Sequence, residues 1–272
     1  MNTIQKILSG AGVLALVAGV AAFGPSDAPA DTTAAAAGAA TEAATDASHH
    51  WHIRATGARI IGGYGDNFAY DGQNVRPLEG SAEAKIDPTT GKGKVTVKLR
   101  TTEASGPIHF AEDTRWEGEI EIVQRLNTEK MGKARIAQDI FLHGDTGNEA
   151  PVMPKVYNYF ATWGPSKVTV NGEEAVPMIG SHTMFSEQAR GADGKIEKAG
   201  TVYHPMKVKD KTGFTDPDDV EFHFVAHTSE TDRDNFPPHS AWIHLHFSDV
   251  EVVSKPAEIE IPYSQRQASA GY

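Results

Sequence analysis

The runs Glu221-Phe-His-Phe-Val-Ala-His227 and Ala241-Trp-Ile-His-Leu-His-Phe247 alternate in chemistry from one residue to the next. Alternation with a period of two is typical of a β-strand, in which successive side chains point to opposite faces. A polar connection containing Pro237-Pro238 joins the two runs. The pattern predicts a β-hairpin near the end of the chain.

The two faces of this hairpin differ in what they offer. One face is apolar in both strands and would join the core; it comprises Phe222, Phe224, Ala226, Ile243, Leu245 and Phe247. The opposite face carries four histidines, which are His223, His227, His244 and His246. If the strands pair, these four imidazoles gather on one surface.

Strand signals of the same kind recur along the chain. Val95, Val97 and Leu99 alternate with polar residues after a turn at 87–93, as in an antiparallel sheet with one wet face. Asn171-Gly172 supplies the positive φ angles of a type I′ hairpin turn. Further strands are predicted at 50–61, 81–102 (a hairpin), 118–126, 134–142, 167–170, 178–187 and 201–208, while 156–163 fits a strand or a short helix and 250–253 continues the last strand. Roughly ten short strands predict an all-β fold, an antiparallel β-sandwich or barrel.

The N-terminal part of the chain has the pattern of an export signal. Lys6 precedes an apolar run at 7–23, and Ala28-Pro29-Ala30 is a plausible cleavage site, so that residues 1–30 form a signal peptide. The alternative is an uncleaved N-terminal anchor. The mature chain has no further apolar stretch long enough to span a membrane. We therefore expect a periplasmic or extracellular protein.

The remaining chain divides into three predicted parts. Residues 31–48 are rich in Ala and Thr and form a low-complexity, flexible spacer. Residues 49–255 form a single all-β domain. Residues 256–272 form a partly ordered tail.

Composition excludes several classes of function. The chain has no cysteine, which rules out disulfides, thiolate zinc sites and cysteine nucleophiles. The net charge of −11 argues against a nucleic-acid partner, which needs a basic surface.

The histidines predict a transition-metal site. His244 and His246 lie two residues apart on one strand face, and His223 or His227 on the neighbouring strand supplies a third nitrogen. Three protein ligands with an open fourth position are typical of catalytic zinc, and imidazole also suits copper. A metal-bound hydroxide would then be the nucleophile. Glu221 shares this face and is expected to lie outside the ligands and to accept a hydrogen bond from the second ring N–H of a metal-bound imidazole.

The ligand pattern is locally similar to that of the alpha-type carbonic anhydrases. Those enzymes also combine a His-x-His strand with a histidine on the adjacent strand, and Glu221-Phe-His-Phe-Val-Ala-His227 resembles that neighbour strand. The resemblance implies zinc. The order of the two strands along the chain is reversed, and the likeness ends with these two strands.

Other interpretations compete with the metal site. The four histidines also fit an unliganded, solvated face of the hairpin, or a surface that gains charge in acid. His182, Met184, His204 and Met206 form two His-x-Met pairs, a soft ligand set suited to Cu(I), or else core residues with histidines nearby. His143, Asp145 and Glu149 offer an acid/base group in one loop.

A rival function from another class needs no metal. The chain would be a non-catalytic envelope β-sandwich that binds a protein or glycan partner. Its supporting features are the spacer, the acidic surface and the aromatic, Gly-rich loop at 62–70.

Overall fold

The computed structural model describes residues 50–65, 70–127, 135–205, 213–229, 232, 234 and 237–261. Fourteen strands and no helix occur in these ranges, which confirms the all-β prediction. The strands are β1 (Trp51–Gly63), β2 (Arg76–Pro77), β3 (Glu79–Asp87), β4 (Lys92–Arg100), β5 (Ile108–Ala111), β6 (Thr114–Trp116), β7 (Glu119–Asn127), β8 (Arg135–Leu142), β9 (Val156–Val170), β10 (Glu173–Gln188), β11 (Glu197–Lys198), β12 (Thr201–Val202), β13 (Asp216–His227) and β14 (Trp242–Ser254). The predicted signal peptide and spacer, residues 1–48, and the tail from 262 onward lie outside the described residues.

Eight of the strands close into a ring of antiparallel pairs. The order is β10, β13, β14, β1, β3, β4, β7 and β9, and β9 pairs again with β10. Closure matters because it removes the free strand edges that an open sheet would expose. β8 pairs with the first half of β9, and β7 pairs with the second half. Two small hairpins, β5–β6 and β11–β12, form separate two-stranded sheets. The architecture is therefore the barrel form of the predicted antiparallel fold.

Apolar side chains from all eight strands fill the inside of the ring. The predicted core face of the final hairpin is fully buried there, with Phe222 and Phe247 rings in edge contact at 5.9 Å. The other strands contribute residues at every second position, among them Ile53, Ala84, Val97, Ile122, Phe160 and Phe185. Because of this alternation, the sequence segments with a period of two form the strands of the barrel wall.

Local predictions for three segments have different outcomes. The ambiguous stretch at 156–163 is the first half of strand β9. Asn171 and Gly172 have φ angles of 51° and 82°, as a type I′ turn requires. The strand predicted at 201–208 is shorter where it is described, at Thr201–Val202, and residues 206–210 lie outside the described part.

A second apolar layer covers the outside of one wall of the ring. It packs on β9, β10 and β14 through Ala161, Met184 and Trp242 and contains Leu142 at the end of β8. The other members come from the long connections and include Tyr70, Met153, Ile196, Tyr203 and Phe214. Tyr203 donates a hydrogen bond of 2.7 Å to the Met153 carbonyl, which ties two of these connections together. The outer face of the final hairpin is consequently an interior. His223, His244 and His246 are buried beneath this layer. The interpretation of the histidines as a solvated surface, or as one that gains charge in acid, is therefore wrong for these three.

None of the described residues belongs to a helix with the length and apolar character that a membrane crossing requires.

Gly62 on β1 is required by the close approach of Trp242. A Cβ at Gly62 would lie 2.3 Å from Trp242 Cη2, on a buried indole that cannot move freely. We expect Gly62→Ala to lower the free energy of unfolding by about 1–3 kcal/mol because it overpacks this contact. Urea unfolding followed by tryptophan fluorescence measures it.

Gly180→Ala is the matched control for this prediction. Its added Cβ would meet only the His227 carbonyl at 3.4 Å, an ordinary contact, so that its effect should be much smaller. Equal effects of the two substitutions would contradict the role given to Trp242.

Candidate metal centre

Glu221, His223 and His246 form a compact, buried group of ligand atoms. The His223 Nε2 donates to Glu221 Oε1 at 2.7 Å, and the His246 Nε2 donates to Glu221 Oε2 at 2.9 Å. The three residues are inaccessible to solvent, and one ligand atom from each lies within 4.8 Å of the other two. This is the spacing of side chains that could share one metal ion.

Strand register explains why these residues meet. His223 on β13 is directly opposite His246 on β14, and cross-strand partners point to the same face. Glu221 lies two residues before His223, on that same face. His244 sits opposite Val225, and its Nε2 lies 3.0 Å from the His223 Nδ1. Three of the four predicted histidines therefore come together with Glu221, the carboxylate predicted to accept a hydrogen bond from them.

His227 lies away from the ligand atoms of this group. Its Cα pairs with that of Trp242, and its ring stacks on His239 at 4.2 Å. Its Nδ1 donates to the Thr228 carbonyl at 2.9 Å. Glu221 fills the third place in the compact group, beside His223 and His246, since its carboxylate contacts both imidazoles directly. The predicted ligand His244 lies outside that group and contacts the His223 ring.

Burial and hydrogen bonding set the charges of the group. Burial opposes ionisation of Glu221, but His223 and His246 hold the pKa of its carboxyl well below the usual range. Burial lowers the pKa of His246 to about 4, although its bond to Glu221 opposes the shift. Burial and the nearby His223 lower the pKa of His244 well below its ordinary value. At neutral pH the group therefore contains an ionised carboxylate and neutral imidazoles His244 and His246, the forms that bind metal.

Arg190, which sequence reasoning missed, compensates the buried carboxylate. Its backbone N–H donates to Glu221 Oε2 at 3.1 Å, and its side chain is 1% exposed. Burial lowers the pKa of its guanidinium to about 10, with Glu221 acting in the opposite direction, so that it stays protonated at neutral pH. Its Nη1 donates to the Gly194 carbonyl at 2.6 Å. No local pattern could have identified it, because it comes from the covering layer.

The predicted soft-ligand set is only partly described. His182 and Met184 are both buried on the outer face of β10, where the Met184 Cα pairs with that of His223. The half-buried His204 lies against Tyr70, with ring centroids 6.2 Å apart. Met206 lies outside the described residues. Convergence of all four stays a prediction.

His143 belongs to the buried histidine layer rather than to a surface acid/base group. Its ring lies 6.4 Å from that of His182, and it is 6% exposed. Asp145 and Glu149, the carboxylates with which the sequence grouped it, are exposed. Burial thus separates His143 from the two carboxylates of its loop.

Acid should destabilise the metal-free protein through these buried histidines. Burial lowers the pKa of His143 from 6.5 to about 4 and that of His182 from 6.5 to about 3. The unfolded chain binds more protons in this window, so the free energy of unfolding is highest above pH 6.5 and falls towards pH 4. Each pKa unit corresponds to about 1.4 kcal/mol. Urea unfolding at a series of pH values measures the slope.

His182→Asn provides the comparison for this pH dependence. The variant should show a shallower fall in stability over the same window, since one contributing imidazole is gone while those of His143, His244 and His246 remain. A wild-type stability that is flat between pH 6.5 and pH 4 would refute the assignment.

Comparisons with known proteins do not extend this picture: no protein-family model, curated protein or solved structure matches the chain. The similarity to the alpha-type carbonic anhydrases stays confined to two strands. The geometry of the site therefore carries the functional conclusion.

Proposed function

We propose that this protein is an exported carrier or store of one transition-metal ion, zinc or copper, bound between Glu221, His223 and His246. The observation that carries the proposal is the set of three buried ligand atoms within 4.8 Å of one another. One carboxylate oxygen and two imidazole nitrogens suit both metals. The ion would take the place of the two hydrogen bonds that Glu221 accepts from His223 and His246.

The residues on the covered outer face of β10, β13 and β14 favour a role in metal binding over a purely structural one. Five buried histidines gather on or against the wall formed by β10, β13 and β14, and they are His143, His182, His223, His244 and His246. Burying polar and charged groups is unfavourable unless they are paired, and an apolar layer of the same volume would be no less stable. A chain that keeps such a layer has a use for nitrogen ligands there.

The contacts around the ligands resemble the outer shell of a metal site. A metal-bound imidazole usually donates its second ring N–H to a neighbouring acceptor, which fixes its orientation. The His223 Nδ1 has such a neighbour in the His244 Nε2, at 3.0 Å. Arg190 contributes the positive charge that balances Glu221 when the site holds no metal.

Burial favours a held ion over a hydrolytic one. Glu221, His223 and His246 are all 0% exposed, so that a substrate would reach the ion only if the covering layer opened. An open, water-filled coordination position, as expected for catalytic zinc, has no support in this geometry. The N-terminal signal pattern supports a periplasmic or extracellular location.

A function without metal is the second candidate. Glu221 already accepts three hydrogen bonds from protein donors, so its carboxylate is satisfied without a metal. In that case the chain is a non-catalytic envelope protein with a protein or glycan partner, and the histidines only build the wall.

Metal content decides between the two functions. We expect the full chain, purified untagged and loaded with Zn²⁺ or Cu²⁺, to retain about one ion per chain at this site, measured by plasma mass spectrometry. Glu221→Gln combined with His246→Asn should lose it, because two of the three ligands are gone.

His52→Asn is the matched control for metal content. His52 bonds to Glu83 at 2.8 Å on the opposite side of β1 from the barrel core, and this pair is outside the buried group. The control should retain the ion. Wild-type protein that holds no metal after loading would refute the metal function and favour the envelope-binding one.

A further inference from the structure

We propose that His143 and His182 form a second metal position, one that takes a single Cu(I) ion. Both residues are more than nine-tenths buried, and their ring centroids lie 6.4 Å apart with an interplanar angle of 70°. His143 comes from the connection after β8, and His182 from the outer face of β10. Neither residue is part of the compact Glu221 group.

Backbone hydrogen bonds determine the tautomer of both rings. The His143 Nδ1 lies 2.7 Å from the Ala150 carbonyl, and the His182 Nδ1 lies 3.0 Å from the Thr162 carbonyl. A carbonyl oxygen can only accept, so each Nδ1 carries the proton and each Nε2 carries a lone pair. Metal-bound histidines are oriented by this same kind of outer contact.

Both Nε2 atoms are buried without a hydrogen-bond partner among the described residues. A buried acceptor without a donor costs about 1–3 kcal/mol of stability. Two such atoms on adjacent rings are therefore an unfavourable arrangement for an empty wall. One cation between them would satisfy both lone pairs at once.

The ring separation fits one shared ion. A metal–nitrogen bond of about 2 Å on each side places two imidazole rings at a centroid separation of about 6 Å. The observed 6.4 Å is close to that value. Two imidazoles in this relation can hold an ion of low coordination number.

The backbone at His143 is held in an unusual conformation. Its φ is 61°, in the left-handed region, where most residues are disfavoured by about 1–2 kcal/mol. Two hydrogen bonds hold the turn: the His143 N–H donates to the Asn148 carbonyl at 2.9 Å, and the Thr146 N–H donates to the His143 carbonyl at 3.2 Å. Retained strain of this type is often found where a side chain is positioned for binding.

The surroundings favour a soft, monovalent ion. The indole of Trp163 stacks on His182 at 4.8 Å, and Met184 and Leu142 are buried in the same apolar cluster. Glu221 is the one buried carboxylate among the described residues, and it is already engaged by His223 and His246. A divalent ion between two neutral ligands would bring two uncompensated charges into this layer, whereas Cu(I) brings one.

An open cavity lies beside residues that adjoin this pair. The cavity has a volume of about 570 Å³, and its wall includes Leu142 and Trp163. Leu142 directly precedes His143, and Trp163 covers His182. Arg135 lies over the Trp163 ring at 5.3 Å, at the same cavity.

The test is an anaerobic titration of the zinc-loaded full chain with Cu(I), in competition with the chromogenic chelator bathocuproine disulfonate. We expect one equivalent of Cu(I) in wild type, and an affinity at least about 100-fold weaker in His143→Asn/His182→Asn. Asparagine keeps an N–H donor near each carbonyl and tolerates a positive φ at position 143, so the fold should survive. His52→Asn is the control and should bind as wild type does.

Two further measurements distinguish Cu(I) binding at His143 and His182 from metal binding at the Glu221 site. The zinc-loaded chain should keep its zinc while it takes up Cu(I), whereas release of one zinc ion for each Cu(I) bound would overturn the second position. Copper K-edge absorption of the wild-type protein with one equivalent of Cu(I) should show two imidazole nitrogens and no oxygen ligand. An oxygen ligand there, or unchanged Cu(I) affinity in the double asparagine variant, would also overturn it. Failure of the chain to bind zinc would refute the Glu221 site only, because Cu(I) binding at His143 and His182 does not depend on it.

Discussion

Glu221→Ala should destabilise the metal-free protein by about 3–5 kcal/mol, the usual cost of breaking a buried charged network by removing one partner. The substitution leaves the N–H groups of His223, His246 and Arg190 without their shared acceptor, at 2.7, 2.9 and 3.1 Å. It also leaves the buried guanidinium of Arg190 without the carboxylate that balances it. Chemical denaturation of metal-stripped protein at neutral pH measures the change.

Glu251→Ala on β14 is the matched control. That carboxylate is 40% exposed and lies 3.7 Å from the exposed Arg54, a surface pair worth about 0–1 kcal/mol. The contrast between the two glutamates isolates burial, because both are on paired strands of the same ring. A Glu221→Ala variant as stable as this control would mean that the buried network contributes nothing to folding.

Phe222→Ala should cost about 3–5 kcal/mol, because it deletes a large side chain from the closed interior of the ring. Phe222 is fully buried and meets the Phe247 ring across β13 and β14. The substitution would leave a cavity, and the closed ring limits how far the surrounding wall can relax into it. The expected cost is therefore high among large-to-small core substitutions. Urea unfolding with far-ultraviolet circular dichroism measures it.

Phe141→Ala provides the comparison for the core substitution. Phe141 is 45% exposed and contacts Tyr157 and Lys155 at the end of β8. We expect a loss of about 1 kcal/mol or less. Similar losses at 141 and 222 would contradict the position of the core inside the ring.

The two substitutions at 221 and 222 test opposite faces of one strand. Phe222 faces the barrel interior, and Glu221 faces the covering layer. Both faces of β13 are buried over residues 220–224, although this part of its sequence alternates between apolar and polar residues as a half-exposed strand does. The polar face of this hairpin is thus a buried polar layer, and that is what makes it a candidate metal centre.

Period-two alternation in the sequence was enough to predict the all-β class and the final hairpin. It also separated the core residues Phe222, Phe224 and Leu245 from the histidines on the other face, because a strand sends alternate side chains to opposite sides. The turn at Asn171-Gly172 followed from backbone sterics alone. These are properties of neighbouring residues, which a single sequence displays directly.

The tertiary structure alone decided the burial and the membership of the site. Register places His223 opposite His246 and leaves His227 with His239, and register depends on how whole strands pair. Arg190 and His143 come from connections far along the chain, and they reach the histidines only when those connections fold over the wall. Alternation predicts which residues share a face, but the cover on that face is made by long-range packing, which no local pattern contains.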